Sequence, residues 1–243
     1  MSIVINTNTS IKTQTILYPQ PAVPGFILDL DAGNRASYPA SGSIWYDLSG
    51  GSNYATLTNG PTFNSDNGGS IVFDGTNDYC QLSQSIFNTP FTGVTFSAWV
   101  YLNSSIGQAL ITGVWNNTVE GDVAALFIFD NGPFVAVADG STSENGAGVG
   151  SVLNVGQWYN IAASWNSNRT YKLYRNGSLL GTSTQTGNGW NSTSTVNFDI
   201  GAQSDNDFRY FNGRIARTQV YNRTLLDSEV LRIYNKQKSR FGL

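Results

Sequence analysis

The sequence predicts an all-β chain: a two-sheet antiparallel sandwich with one short C-terminal helix. Three observations lead there. Short apolar or alternating runs recur from residue 25 onward, each bounded by Gly, Asn, Asp or Ser, the punctuation of strands between turns. Two of these boundaries carry hairpin signals. Only one stretch, Leu226 to Lys238, repeats its apolar residues with a helical period. No repeat of 20–50 residues is visible, which argues against a propeller.

Taken in order, residues 1–24 are polar, rich in Thr and Asn, and end in Pro19, Pro21 and Pro24. Proline fixes φ and lacks the N–H, so this piece reads as an extended arm, and 25–243 as the sandwich. The predicted strands are "FILDLD", "SIVF", "TFSAWVYL", "ALITGVW", "AALFIF", "FVAV", "WYNIAASW", "YKLYRNG", "VNFDIG" and "RIARTQVYN". Asn176-Gly177 and Asp130-Asn131-Gly132 mark hairpin turns, because Asn, Asp and Gly tolerate positive φ. In "TFSAWVYL", Phe96, Ala98 and Val100 oppose Trp99 and Tyr101, the pattern of a strand packed on both faces. In "RIARTQVYN", Ala216, Thr218 and Val220 are expected to face the core, and Arg217 and Gln219 to face water. Val230, Ile233 and Tyr234 give the helix its i, i+3, i+4 stripe.

Composition excludes several classes of function. The chain has 243 residues, 40% hydrophobic, only 12% charged, with a formal net charge of -3. Its basic residues are scattered, so nucleic acid is not an expected partner. No window is long and apolar enough for a membrane span, and the N-terminus lacks the pattern of a secretion signal. Cys80 is the one cysteine and histidine is absent. Histidine-dependent catalysis, thiolate clusters and most zinc sites are therefore not expected.

Several motifs in succession carry a family resemblance. "FILDLDAGNRASYPASGSIWYDLSG", "ATLTNGPTF", "GGSIVFDGTNDYCQL", "VTFSAWVYL", "GQWYNIAASWN", "YKLYRNGSLLG" and "FNGRIARTQVYNRTLLDSEVLRIYN" run from about residue 25 to 238. As an ordered set they resemble a concanavalin A-like, laminin-G-type jelly roll. The early "LDAGN" and late "KSRFGL" are similar to laminin-G-type proteins of tailed-bacteriophage virions. The resemblance implies two antiparallel sheets, one concave, used to bind glycans or proteins, in some members with a rim calcium. The chain departs from the family at Ala216 and Arg217, where many relatives carry an acidic pair. It departs again at Leu226, which replaces the serine N-cap of the last helix. Thr224 with Asp227 restores a capping-box spacing, so an earlier helix start is expected.

Candidate sites follow from residue chemistry. Trp99, Trp158, Trp165 and Trp45 fall in strand motifs and are expected in the core. Trp115 with Asn116, and Trp190 with Asn191, fall in Gly/Asn-rich stretches and are the ligand candidates. In "SIVFDGTNDYCQL", Asp74, Asn77 and Asp78 are expected to shape a hairpin rather than bind calcium. Calcium takes six to eight oxygens, more than this loop supplies. The sharper calcium candidates are Asp205 and Asp207, with Asp122 and Asp130. No cofactor is expected to be required. Glucanases share the resembled fold, but their acidic E-x-D-x-x-E strand is missing: the glutamates are Glu120, Glu144 and Glu229, each singly placed.

The leading expectation is a non-enzymatic virion protein, a capsid decoration or fibre-like component made in the host cytoplasm. Its arm residues Ile3, Val4, Ile5, Ile16, Leu17 and Tyr18 would join it to the capsid, to other virion proteins or to further copies in a homo-oligomer. Glycans are the expected surface ligand. The alternative is a free carbohydrate-binding module or adhesin domain.

Overall fold

The computed structural model describes residues 23–87, 89, 91–115, 123–137, 146–148, 150, 152–185, 197–203 and 209–243. Sixteen strands among them form two antiparallel sheets of eight. The first sheet runs β14 (Ser178–Thr184), β13 (Thr170–Arg175), β12 (Trp158–Asn166), β7 (Gly93–Leu102), β16 (Asn212–Tyr221), β5 (Ser70–Asp74) and β4 (Thr62–Asn64). Here β1 (Phe26–Asp31) pairs with the C-terminal half of β16, while β5 pairs with its N-terminal half. The second sheet runs β11 (Gly146–Gly148), β10 (Gly132–Val137), β9 (Val123–Phe129), β8 (Gln108–Trp115), β15 (Phe198–Ile200), β6 (Tyr79–Leu82), β3 (Tyr54–Thr58) and β2 (Ile44–Tyr46).

The main core lies between the sheets. Phe96, Ile161 and Val220 from the first sheet meet Trp45, Ile111, Leu126 and Ile200 from the second, all fully buried. Phe87 joins them, edge-on to Phe96 at 6.3 Å and 6.0 Å from Phe198.

A further apolar layer lies on the outer face of the first sheet. Helix α1 (Asp227–Gln237) and the 3-10 turn Lys238–Phe241 pack there. Phe241 stacks on Trp99 at 3.9 Å and lies 4.8 Å from Trp158. Trp99 donates to Gln237 Oε1 (2.6 Å), and Trp158 donates to Asn67 Oδ1 (3.1 Å). The expected two-sided packing of "TFSAWVYL" is therefore realised, and Trp45, Trp99, Trp158 and Trp165 are all buried.

Both predicted hairpins are present with two-residue turns. Asp130 and Asn131 have φ of 48° and 59°, and Asn176 and Gly177 have 52° and 75°. This is the conformation whose twist matches paired strands.

Three expectations are corrected. Residues 70–82 do not form a hairpin: β5 lies in the first sheet and β6 in the second, so the loop carries the chain across the core. Its acidic groups serve that crossing. Asp74 Oδ1 accepts from Thr76 N and Asn77 N, and Asp78 Oδ2 accepts from Asp74 N. In β16, a bulge at Ala216 turns this residue outward beneath Phe241 and Trp99. Arg217 and Gln219 lie under the C-terminal layer rather than in water. The helix starts at Asp227 after all. Thr224 spends its hydroxyl on Trp165 O (2.9 Å), while Leu226 N donates to Glu229 Oε2 (3.0 Å).

Two stretches quoted for the phage resemblance meet in space. Arg240 of "KSRFGL" donates to Asp31 of "LDAGN" (2.6 Å), and to Asn67 O and Gly69 O. Gly33 lies against the guanidinium, where a Cβ would collide with it and with Gly68 O. Arg217 binds Asp29 through two bonds of 2.8 and 2.7 Å and stands 3.6 Å from Asp31. Burial lifts the Asp29 carboxyl above its ordinary value, against the lowering effect of the Arg217 bond.

Candidate functional site: the outer face of the second sheet

Among the described residues no helix packs on the outer face of the second sheet, yet that face has an apolar cluster of its own. Leu110, Trp115, Val123, Ala125, Phe127 and Ala136 are buried there, with Phe134 beside them. Leu110 and Trp115 are five positions apart, an odd spacing that strict alternation would send to opposite faces. A bulge between Leu110 and Thr112 adds one residue and returns both to the same side. Gly113, with φ of 143°, lies where a Cβ would run into the backbone of Ala124 and Ala125.

Trp115 therefore ends β8, 4% exposed, and is not the loop tryptophan expected. It meets Phe127 edge-on at 4.7 Å and 89°. The Arg209 guanidinium lies over Trp115, 4.0 Å from its centroid, and 5.5 Å from that of Phe127. Such stacking holds a cation over the negative face of a ring. Arg209 Nε donates to Gln108 Oε1 (3.3 Å), and Nη1 donates to Gln203 Oε1 (3.2 Å). Its backbone carbonyl accepts from Leu110 N (3.0 Å), which anchors the residue beside β8.

The surface beyond is a cleft in two parts. A cavity of about 80 Å³ lies among Gln108, Trp115, Phe127 and Arg209, with Phe129 and Phe134 at its edge. These two phenylalanines also wall a wider cleft of about 330 Å³ that reaches Asp130, Pro133 and Val152. Phe129 is 48% exposed and lies 6.0 Å from Phe134. Phe134 fits because β11 is Gly-Ala-Gly there: a Cβ on Gly146 or Gly148 would strike its ring. Farther along the same face Gln81 donates to Asp199 Oδ1 (3.2 Å), a polar strip beside Gly113.

Of the expected site residues, Trp115 belongs to this face and Asp130 lines the wider cleft. Asn116, Asp122, Trp190, Asn191, Asp205 and Asp207 lie outside the described residues, as do Ile3, Val4, Ile5, Ile16, Leu17 and Tyr18. Among the described residues no group of three or more acidic, Cys or His side chains is placed to hold a metal, and no helix is long and apolar enough to cross a membrane. The sequence reading missed Arg209, Phe127, Phe129 and Phe134. The one signal in the chain was that both alternating faces of "AALFIF" and "GPFVAV" are apolar, with Phe127 and Phe129 on one of them.

Solved structures of similar fold include three of botulinum neurotoxins. The receptor-binding domain of type G superposes with a TM-score of 0.65 at 16% identity, over 88% of this chain and 52% of that one. A type C structure, from work on cell entry through two ganglioside molecules, gives 0.66 at 14%, over 88% and 51%. The binding domain of type DC in complex with SialylT gives 0.65 at 13%, over 88% and 52%. The chain spans about half the length of these structures, and the likeness is one of fold. No curated protein sequence matches it. The family model of the concanavalin A-like lectin/glucanases superfamily, in its laminin-G form, matches residues 74–231. With two antiparallel sheets and that match over more than half its length, the chain belongs to the concanavalin A-like lectin/glucanases superfamily.

Proposed function

We propose that the chain is a non-catalytic carbohydrate-binding sandwich whose ligand lies across the outer face of the second sheet. The observation that carries this reading is the cleft walled by Phe129 and Phe134 and closed at one end by Arg209 stacked on Trp115. Aromatic walls offer faces for sugar C–H groups, and a few fixed polar groups such as Gln108 and Arg209 give orientation. The ganglioside and SialylT of the similar neurotoxin structures belong to those proteins, and they support sugar as the ligand class.

The reading is non-catalytic because the acidic E-x-D-x-x-E strand of the glucanases is missing, and several described carboxylates are paired with arginines away from the cleft. Asp29 and Asp31 are held by Arg217 and Arg240, and Glu229 by Arg223. In the finer form of the proposal, this sandwich is carried on a tailed-phage virion, as a capsid decoration or fibre-like component joined by its N-terminal arm. The similarity of "LDAGN" and "KSRFGL" to such proteins supports that setting.

The test is a glycan array with the full chain, followed by calorimetry on any glycan retained. Phe129→Ala removes an exposed ring and should weaken binding about tenfold, or ~1.4 kcal/mol, without lowering the melting point. Binding to no glycan, or binding indifferent to Phe129, overturns the reading. So does release of reducing sugar from a bound glycan.

A further inference from the structure

A cleft of about 380 Å³ lies on the opposite side of the molecule, between β1, β16 and α1. Its walls are Phe26, Tyr221 and Ile233 with Lys236 beside them, and its floor is the Arg217–Asp29 pair with Gln219 and Gln237. The floor is already internally bonded: Gln237 Nε2 donates to Gln219 Oε1 (3.2 Å), and Arg217 is held by Asp29. An apolar side chain with a peptide backbone can enter without breaking those bonds.

Val23 also lines this cleft, 5% exposed and packed with Ile233, Tyr174 and Tyr221. The arm therefore leaves the sandwich at this groove. Its nearest apolar cluster, Ile16-Leu17-Tyr18, lies five residues upstream across Pro19 and Pro21. Five positions of proline-rich chain can span about 16 Å at about 3.1 Å per residue, and Pro19 and Pro21 oppose the tight reversal that reaching the groove beside Val23 would require. The groove of a second copy has no such restriction, and exchange of identical segments between protomers is a low-cost route to assembly.

We propose that the groove between β1, β16 and α1 receives the Ile16-Leu17-Tyr18 cluster of a second copy of this chain. The inference rests on the reading of residues 1–22 as an assembly arm and assigns that arm its docking surface.

Cys80 is fully buried, and burial, with Asp78 and Asp199 nearby, pushes its thiol well above the ordinary value. Introduced cysteines can therefore be cross-linked without interference. Full-length Leu17→Cys and Lys236→Cys variants, differently tagged, are mixed under mild oxidation. A disulfide-linked heterodimer is expected, and it should be lost when Ile16→Asp is added to the first variant. A disulfide within one chain of the double variant overturns the proposal in favour of the arm's own groove. Absence of any disulfide overturns it as well, as does preferential linkage to Ser183→Cys on the edge strand β14. Light scattering on a chain lacking residues 2–22 separates the two levels. If the oligomer is lost while Lys236→Cys never cross-links, the arm assembles elsewhere and only the groove fails. If the oligomer persists, the arm reading itself fails.

Discussion

Glu229 makes two attachments with one carboxylate. It pairs with Arg223 through two bonds of 2.8 Å and accepts from Leu226 N at 3.0 Å, so it supplies one half of a capping box whose other half Leu226 cannot provide. The Arg223 bonds, with help from Leu226 N, draw its carboxyl from an ordinary 4.5 down to about 2. A carboxyl lowered in the folded state binds fewer protons there than in the unfolded chain. Its contribution is therefore complete above about pH 4.5 and is lost as pH falls toward 2. Glu229→Gln should cost about 1 kcal/mol at neutral pH, the usual scale for a lost cap. It should also flatten the pH dependence of unfolding by denaturant in that window. An unchanged acid limb would mean that other carboxylates dominate it.

Among the elements, the C-terminal turn Lys238–Phe241 joins the outer layer of the first sheet to two distant segments of the chain. Phe241 covers Trp99 and Trp158, and Arg240 ties the turn to Asp31, Asn67 O and Gly69 O. These contacts explain why "LDAGN" and "KSRFGL" belong together: one supplies the carboxylate and a glycine without a Cβ, the other the guanidinium. Phe241→Ala should cost about 3 kcal/mol, as for other buried phenylalanines. It should also shift tryptophan fluorescence to the red, because Trp99 and Trp158 gain solvent. Strand β8 shows the converse, where one bulge residue decides which face Trp115 joins. Local pattern identified β8 correctly; a spacing count could not locate its bulge, because the extra residue is dictated by the partner strand.

For the whole molecule, stability rests on a core between two eight-stranded sheets and a second layer beneath α1. Metal binding to such a body adds RT ln(1 + [L]/Kd) and does not create the fold. Melting in EDTA should therefore match melting in millimolar calcium to within a few degrees, measured by circular dichroism. Complete unfolding in EDTA would make calcium an obligatory part of the structure.

What the sequence determined by itself was set by short-range chemistry. Strand identity, the two positive-φ turns at Asp130-Asn131 and Asn176-Gly177, the terminal helix and the sandwich class all follow from neighbours a few residues apart. The buried tryptophans Trp45, Trp99, Trp158 and Trp165 were legible for the same reason, since they stand within strand patterns. The short strands β2, β4 and β11 carried too few residues to show a period. Tertiary structure alone decided that residues 70–82 cross between sheets and that Arg217 lies beneath a helix. It also decided that Arg209 comes to rest on Trp115, 94 positions earlier in the chain. Each of these depends on which sheet a strand joins and on what covers its outer face. Those choices are made by burial of distant partners against one another, and no local pattern of residues encodes them.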